Sequence, residues 1–209
     1  MMDVKMHKAT VHGYHSFYEE AFAPFRHKRG LRLLEIGLDK GESLLMWLKY
    51  FTDPANDGIQ GLDCEKTIYG NGRGRGCADG DAILAECLRQ HVDGCDRLRF
   101  FYGSQDDQAF LKRLVREGAG LDPDEMLKEN KAQQSWRTGG WDIIIDDGSH
   151  IPRHQLVSFS ALFPFVRPGG VYVIEDIESS YYDGPEDKGY YPSLYGVEIR
   201  DAGTAHSAT

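Results

Sequence analysis

Five short runs of apolar residues punctuate an otherwise polar chain. They lie at residues 31–38 (LRLLEIGL), 59–64 (IQGLDC), 98–103 (LRFFYG), 141–148 (WDIIIDDG) and 170–177 (GVYVIEDI). The last two are nearly continuous in apolar character and rich in Ile, Val and Tyr. That pattern suits strands covered on both faces, as in a parallel sheet. Helical patterns at residues 43–51, 81–92, 107–118 and 154–166 lie between them. Ser43 is placed to cap the first of these helices. Pro168-Gly169-Gly170 reads as a helix stop and turn before the fifth strand. Strands alternating with helices predict βαβ units and an α/β fold built on a mostly parallel, doubly wound sheet.

Composition narrows the class. The 209 residues fit one domain, and 41% hydrophobic residues suffice for a packed core. No apolar run reaches the ~18–20 residues that span a membrane. The first residues carry no apolar leader. Cys64, Cys77, Cys87 and Cys95 form no CxxC pair, so reduced thiols in a cytoplasmic chain are expected. A net charge of −9 disfavours non-specific nucleic-acid binding, which needs Lys and Arg against phosphates. The predicted organisation is a helical segment over 1–30, a core over 31–180 and an irregular tail over 181–209.

In an open α/β sheet, ligands bind beyond the carboxyl ends of the strands. The first strand ends as Glu35-Ile36-Gly37-Leu38-Asp39-Lys40-Gly41-Glu42-Ser43. Gly37 and Gly41 let backbone pass close to a ligand, and Glu35 sets a carboxylate before the turn. Asp63 ends the second strand, placed for ribose hydroxyls. Ser104, Gln105 and Asp106 end the third and suit an adenine edge. No GxGxxG and no phosphate-cradling GK[ST] loop is present, which favours a nucleoside cofactor without a pyrophosphate. S-adenosylmethionine fits, because its ammonium and ribose diol both meet carboxylates.

The fourth and fifth strand ends hold Asp146, Asp147, His150, Glu175 and Asp176. Clustered carboxylates repel unless something positive lies among them. A divalent cation with oxygen ligands, Mg²⁺ first, resolves this. The alternative is that these acids cap helices or pair with Arg153 and Arg167. Adjacent strand residues point to opposite faces, so Glu175 and Asp176 can share one ion only where the strand has ended.

IDDGSH, LFPFVRPGG and VYVIEDIESSY, preceded by LRLLEIGL and MWLKYF, resemble the class I S-adenosylmethionine-dependent methyltransferases. Among these the chain is similar to the metal-dependent O-methyltransferases that modify macrolide sugars. The resemblance covers about residues 14–200. It implies a Rossmann-like sheet and a Mg²⁺ site formed by Asp147, Glu175 and Asp176. It places His150 beside the reacting hydroxyl, with Asp147 and His150 carrying the catalysis. It assigns cofactor contacts to Glu35, Gly37, Asp63, Gln105 and Asp106 and brings Tyr14 near the cofactor. Gly41, Ser43 and Asp146 complete the expected cofactor-binding set. The implied reaction is methyl transfer to a hydroxyl of a sugar or small glycosylated metabolite. A non-catalytic cofactor-binding domain is one rival. An iron-dependent oxygenase using His150, His154 and a carboxylate is another.

Such a sheet has seven strands, and only five are legible. The chain is therefore expected to lack the last two, leaving an edge for a partner, a second copy or a missing segment. Less committed readings concern other segments. The pair His12 and His15 reads as a surface helix face. Residues 70–76 (GNGRGRG) read as a flexible loop or an arginine-bearing lid, and residues 120–140 as an insertion. Tyr181, Tyr182, Tyr190 and Tyr191 read as pocket-lining or packing residues.

Overall fold

In the computed structural model the described residues are 14–53, 58–64, 77–126 and 139–177. The lid-or-loop segment 70–76, most of the expected insertion, the tail tyrosines, His12 and the expected truncation all lie outside them. Five parallel strands form one sheet in the order β3-β2-β1-β4-β5. They are β1 (Arg32–Ile36), β2 (Gly58–Asp63), β3 (Leu98–Tyr102), β4 (Trp141–Asp146) and β5 (Val166–Ile174). Helices α1 (His15–Phe22), α2 (Glu42–Tyr50), α3 (Gly80–Arg89), α4 (Gln108–Leu114), α5 (Pro123–Met126) and α6 (Pro152–Leu162) complete the fold. β1 and β4 are almost wholly buried, with Leu33, Leu34 and Ile36 of β1 and Trp141, Ile143, Ile144 and Ile145 of β4 filling both faces.

Two apolar clusters cover the two faces of the sheet. One joins Leu33, Ile143 and Ile145 to Tyr18 and Phe22 of α1, and to Leu44, Trp47 and Phe51. The other joins Leu34, Ile36 and Ile144 to Phe110, Leu114 and Leu162. The alternation of Leu33 with Leu34, and of Ile143 with Ile144, supplies both faces. A buried ion cluster ties the amino-terminal edge. Asp142 accepts from Lys28 Nζ (2.6 Å), the Arg32 backbone N–H (2.9 Å) and Arg167 Nη1 (2.9 Å).

Three local expectations are corrected. Ser43 is not the helix cap: α2 begins at Glu42 behind Gly41, whose φ of 74° supplies the turn. Pro168-Gly169-Gly170 does not precede β5 but bulges within it, since Trp141 pairs with Val166 and Ile143 with Val171. That bulge lets Arg167 reach Asp142. The cysteines are not free thiols: Cys64 pairs with Cys77, and Cys87 with Cys95. The second pair bridges the end of α3 to the turn leading into β3, a proximity that CxxC spacing rules do not detect.

Candidate active site at the carboxyl edge of the sheet

The residue after each of four strands continues the parallel ladder by one hydrogen bond. Gly37 N–H donates to Leu62 O (2.8 Å) and Asp147 N–H to Ile36 O (2.9 Å). Glu175 N–H donates to Asp146 O (2.9 Å) and Gly103 N–H to Asp63 O (2.9 Å). Backbone positions at the strand ends are thus fixed before any ligand arrives. Gly37 has φ 84°, and a Cβ there would lie 2.1 Å from Asp147 O. Glycine is required because the loop after β4 crosses directly over the turn after β1.

That loop carries the cation candidates. Carboxylate oxygens of Asp147 and Asp176 and an imidazole nitrogen of His150 lie within 4.8 Å of one another. His150 Nε2 is 3.8 Å from Asp147 Oδ1 and 3.8 Å from Asp176 Oδ2. His150 and Asp176 have φ of 55° and 51°, a left-handed backbone uncommon for non-glycine residues. β5 has ended by Ile174, so strict alternation no longer governs Glu175 and Asp176. The positive φ turns Asp176 toward His150. Glu175 is buried, and its Oε1 accepts the Tyr18 hydroxyl. Tyr14 OH donates to Asp176 Oδ1 (2.8 Å). Burial first, and then the Glu175 charge, raise the Tyr18 phenol pKa, so it stays a proton donor.

Three of the residues read as cofactor contacts hold other parts of the site through their side chains. Asp146 is fully buried. It accepts from Ser158 Oγ, from Gln105 Nε2 (3.1 Å) and from Gly148 N–H (3.4 Å). Burial raises its pKa above the ordinary carboxylate range, while these donors oppose the rise. Gln105 is also buried, and its Oε1 accepts from Ser149 N–H (2.7 Å). Asp146 and Gln105 together therefore clamp the Gly148-Ser149 turn. Ser43 Oγ donates to Glu35 Oε2 (2.8 Å), as does Trp47 Nε1 (3.2 Å).

Asp63 is oriented by two backbone donors. Its Oδ2 takes Leu38 N–H (2.9 Å) and its Oδ1 takes Cys64 N–H (2.7 Å). A carboxylate has about four lone-pair positions, so each oxygen retains one for a ribose hydroxyl. Asp106 lies 3.3 Å from His154 Nε2, and His154 Nδ1 lies 3.0 Å from Ser149 Oγ. His154 therefore faces the β3 end and not the Asp147–His150–Asp176 group. Arg167, offered as a partner for the acids, is taken by Asp142. Asp63, Cys64 and Cys77 also converge, but their two sulfurs are bonded to each other. The acidic group does not line the groove of about 460 Å³ formed by Lys112, Arg153, Leu156 and Phe165.

The residues that sequence reasoning passed over are Tyr18, Ser158 and Gln155. Gln155 Nε2 holds the Glu175 carbonyl (3.0 Å). Only Tyr18 had a signal, its helical spacing of four from Tyr14.

Comparison with known proteins bears on the fold and the family resemblance. No family model matches the chain. It is 34% identical over 181 residues to the mycinamicin VI 2''-O-methyltransferase of Micromonospora griseorubida, covering 83% of this chain and 34% of that protein. It is 33% identical to a rhamnosyl-tetracenomycin 3'-O-methyltransferase of Streptomyces olivaceus, over 83% of this chain and 34% of that one. The chain thus spans about a third of the length of the curated relatives it matches. The MycE methyltransferase, solved with Mg, SAH and mycinamycin VI, superposes with a TM-score of 0.54 at 33% identity, over 83% of this chain and 34% of that one. An O-methyltransferase from Bacillus cereus, solved with SAH, superposes with a TM-score of 0.50 at 16% identity, over 95% of this chain and 73% of that one. The chain has the Rossmann-like class I methyltransferase fold and resembles the macrolide sugar O-methyltransferases over most of its described length.

Proposed function

We propose that this chain carries the cofactor and cation sites of an S-adenosylmethionine-dependent O-methyltransferase acting on a hydroxyl of a sugar or small glycosylated metabolite. The observation that carries this reading is the meeting of Asp147, His150 and Asp176 within 4.8 Å at the sheet edge that also presents Asp63 and Gly37. The donors suit Mg²⁺, a hard cation that prefers carboxylate oxygen. Asp147 and Asp176 would hold it, with Glu175 contributing its second carboxylate oxygen. When bound, the cation would supply Lewis acidity toward the acceptor hydroxyl. The cofactor would supply a methyl group on a sulfonium.

The chain's own residues bind, orient and accept a proton. Asp63 would hold the ribose diol, and Glu35, fixed by Ser43 and Trp47, would present a carboxylate toward the amino-acid end. His150 would accept the hydroxyl proton at Nε2, the atom that faces Asp147 and Asp176. Asp146 and Gln105 would keep the Gly148-Ser149 turn in place beneath it. The similarity to O-methyltransferases of mycinamicin VI and of a rhamnosyl-tetracenomycin supports this substrate class. The described cluster holds one imidazole, with His154 turned to Asp106, which disfavours the two-histidine iron reading.

Calorimetric titration of the wild type and of Asp147→Asn with S-adenosylhomocysteine and with Mg²⁺ tests the assignment. The expected outcome is cation binding lost in the variant, with cofactor affinity kept within a few-fold. Equal loss of both would make Asp147 a structural residue.

A further inference from the structure

We propose that Tyr14 and Tyr18 are positioning residues for the cation site, a pair of phenols at the N-cap and in the first turn of α1 that orient the two acids following β5. The proposal rests on the cation reading above and extends it to a part of the chain far away in sequence. The two contacts span sequence separations of 162 and 157 residues. Tyr14 and Tyr18 are four apart, so both phenols project from one face of the helix. Glu175 and Asp176 are neighbours beyond the end of β5, and the pairs run in opposite order, Tyr18 with Glu175 and Tyr14 with Asp176.

The chemistry of the donor is the reason for tyrosine. Acids at one cation site must be held close together while their charges remain available to it; Asp147 and Asp176 form one group with His150, and Glu175, not part of that group, adjoins Asp176 in the chain. A Lys or Arg donor would hold such acids but would bring a positive charge that competes with the ion. A phenol donates one hydrogen bond and stays neutral. Tyr18 is 2% exposed, so its donor has little access to water and is committed to Glu175. Each phenol donates to one carboxylate oxygen. In Asp176, Oδ1 accepts Tyr14, and Oδ2 faces His150 Nε2 at 3.8 Å.

The helix that presents the phenols is itself anchored. Tyr18 and Phe22 pack edge-on against Trp47, with ring centroids 5.3 and 5.5 Å away. Trp47 in turn donates to Glu35. One aromatic cluster therefore sets the carboxylate at the end of β1 and, through Tyr18, the carboxylate at the end of β5. Hydrogen-bond partners that orient metal ligands are typically worth about 10–100-fold in metal affinity.

The test is Mn²⁺ affinity, read by electron paramagnetic resonance on the full chain for wild type, Tyr18→Phe, Tyr14→Phe and Glu175→Gln. Phenylalanine keeps the ring and its packing and removes only the hydroxyl. Tyr18→Phe should weaken Mn²⁺ by about 10-fold or more. Tyr14→Phe should weaken it in the same direction. For Tyr18→Phe, S-adenosylhomocysteine affinity without metal should stay within about two-fold, a split that a merely structural role would not produce. In the Glu175→Gln background, Tyr18→Phe should add little, because the two act as one unit. Wild-type Mn²⁺ affinity in both tyrosine variants, with loss in Glu175→Gln, overturns the proposal and spares the cation site. Wild-type protein that binds no Mn²⁺ overturns both.

Discussion

At the scale of single residues, the site is set by a few positions with no freedom to vary. Gly37 is the sharpest case. Any Cβ there meets the Asp147 carbonyl at 2.1 Å on a backbone at φ 84°. Gly37→Ala should destabilise the fold by at least the ~1–3 kcal/mol of a strained backbone position, read by denaturant unfolding. A loss below ~0.5 kcal/mol would mean that the loop after β4 does not sit on the turn as described.

Asp146 yields a pH dependence. Burial raises its carboxyl pKa in the folded chain, so the folded state holds this proton to higher pH than the unfolded state. The contribution of this group is fully present below the unfolded pKa of ~4 and declines as pH rises toward the folded value. Asp146→Asn should flatten that decline in unfolding free energy as pH rises above about 4. An unchanged slope would contradict the buried, proton-retaining assignment. The sequence placed Asp146 at the right edge but not its direction, because one step along a strand reverses the face. Asp147 follows it out of the strand and toward His150, while Asp146 turns to Gln105 and Ser158.

At the scale of elements, the strands were readable because β1 and β4 are buried on both faces and show continuous apolar runs. The start of β5 was not readable, because Pro168-Gly169-Gly170 looks like a terminator and serves as a bulge. The role of α1 was hidden for another reason. Its contacts with Glu175 and Asp176 are tertiary and leave only the Tyr14–Tyr18 spacing in the sequence. The disulfides were hidden likewise, since they depend on where α3 begins and ends. Cys87 and Cys95 are 0% and 5% exposed, whereas Cys64 and Cys77 are only half-buried. Mild reductant should therefore open the 64–77 bridge well before the 87–95 bridge, since access limits thiol–disulfide exchange. Alkylation and peptide mass mapping would follow the order, and simultaneous opening would contradict the burial argument.

At the scale of the whole molecule, the sheet order β3-β2-β1-β4-β5 explains why five sequence-distant segments meet. All strands run parallel, so every carboxyl end lies along one edge. Apart from Tyr14 and Asp146, the cofactor candidates lie at or after the ends of β1, β2 and β3, and the cation candidates follow β4 and β5. Their meeting line passes between β1 and β4, where Gly37 and Asp147 touch. A methyl donor along one half and an activated hydroxyl over the other would meet at that line. Among the described residues, no helix is long and apolar enough to cross a membrane. The most direct measurement is a crystal structure of the chain with S-adenosylhomocysteine and Mn²⁺, read in an anomalous difference map. The account predicts one metal peak bounded by Asp147, Glu175 and Asp176, with the ribose on Asp63. A map with no peak there, or with a peak between His150 and His154, would contradict it.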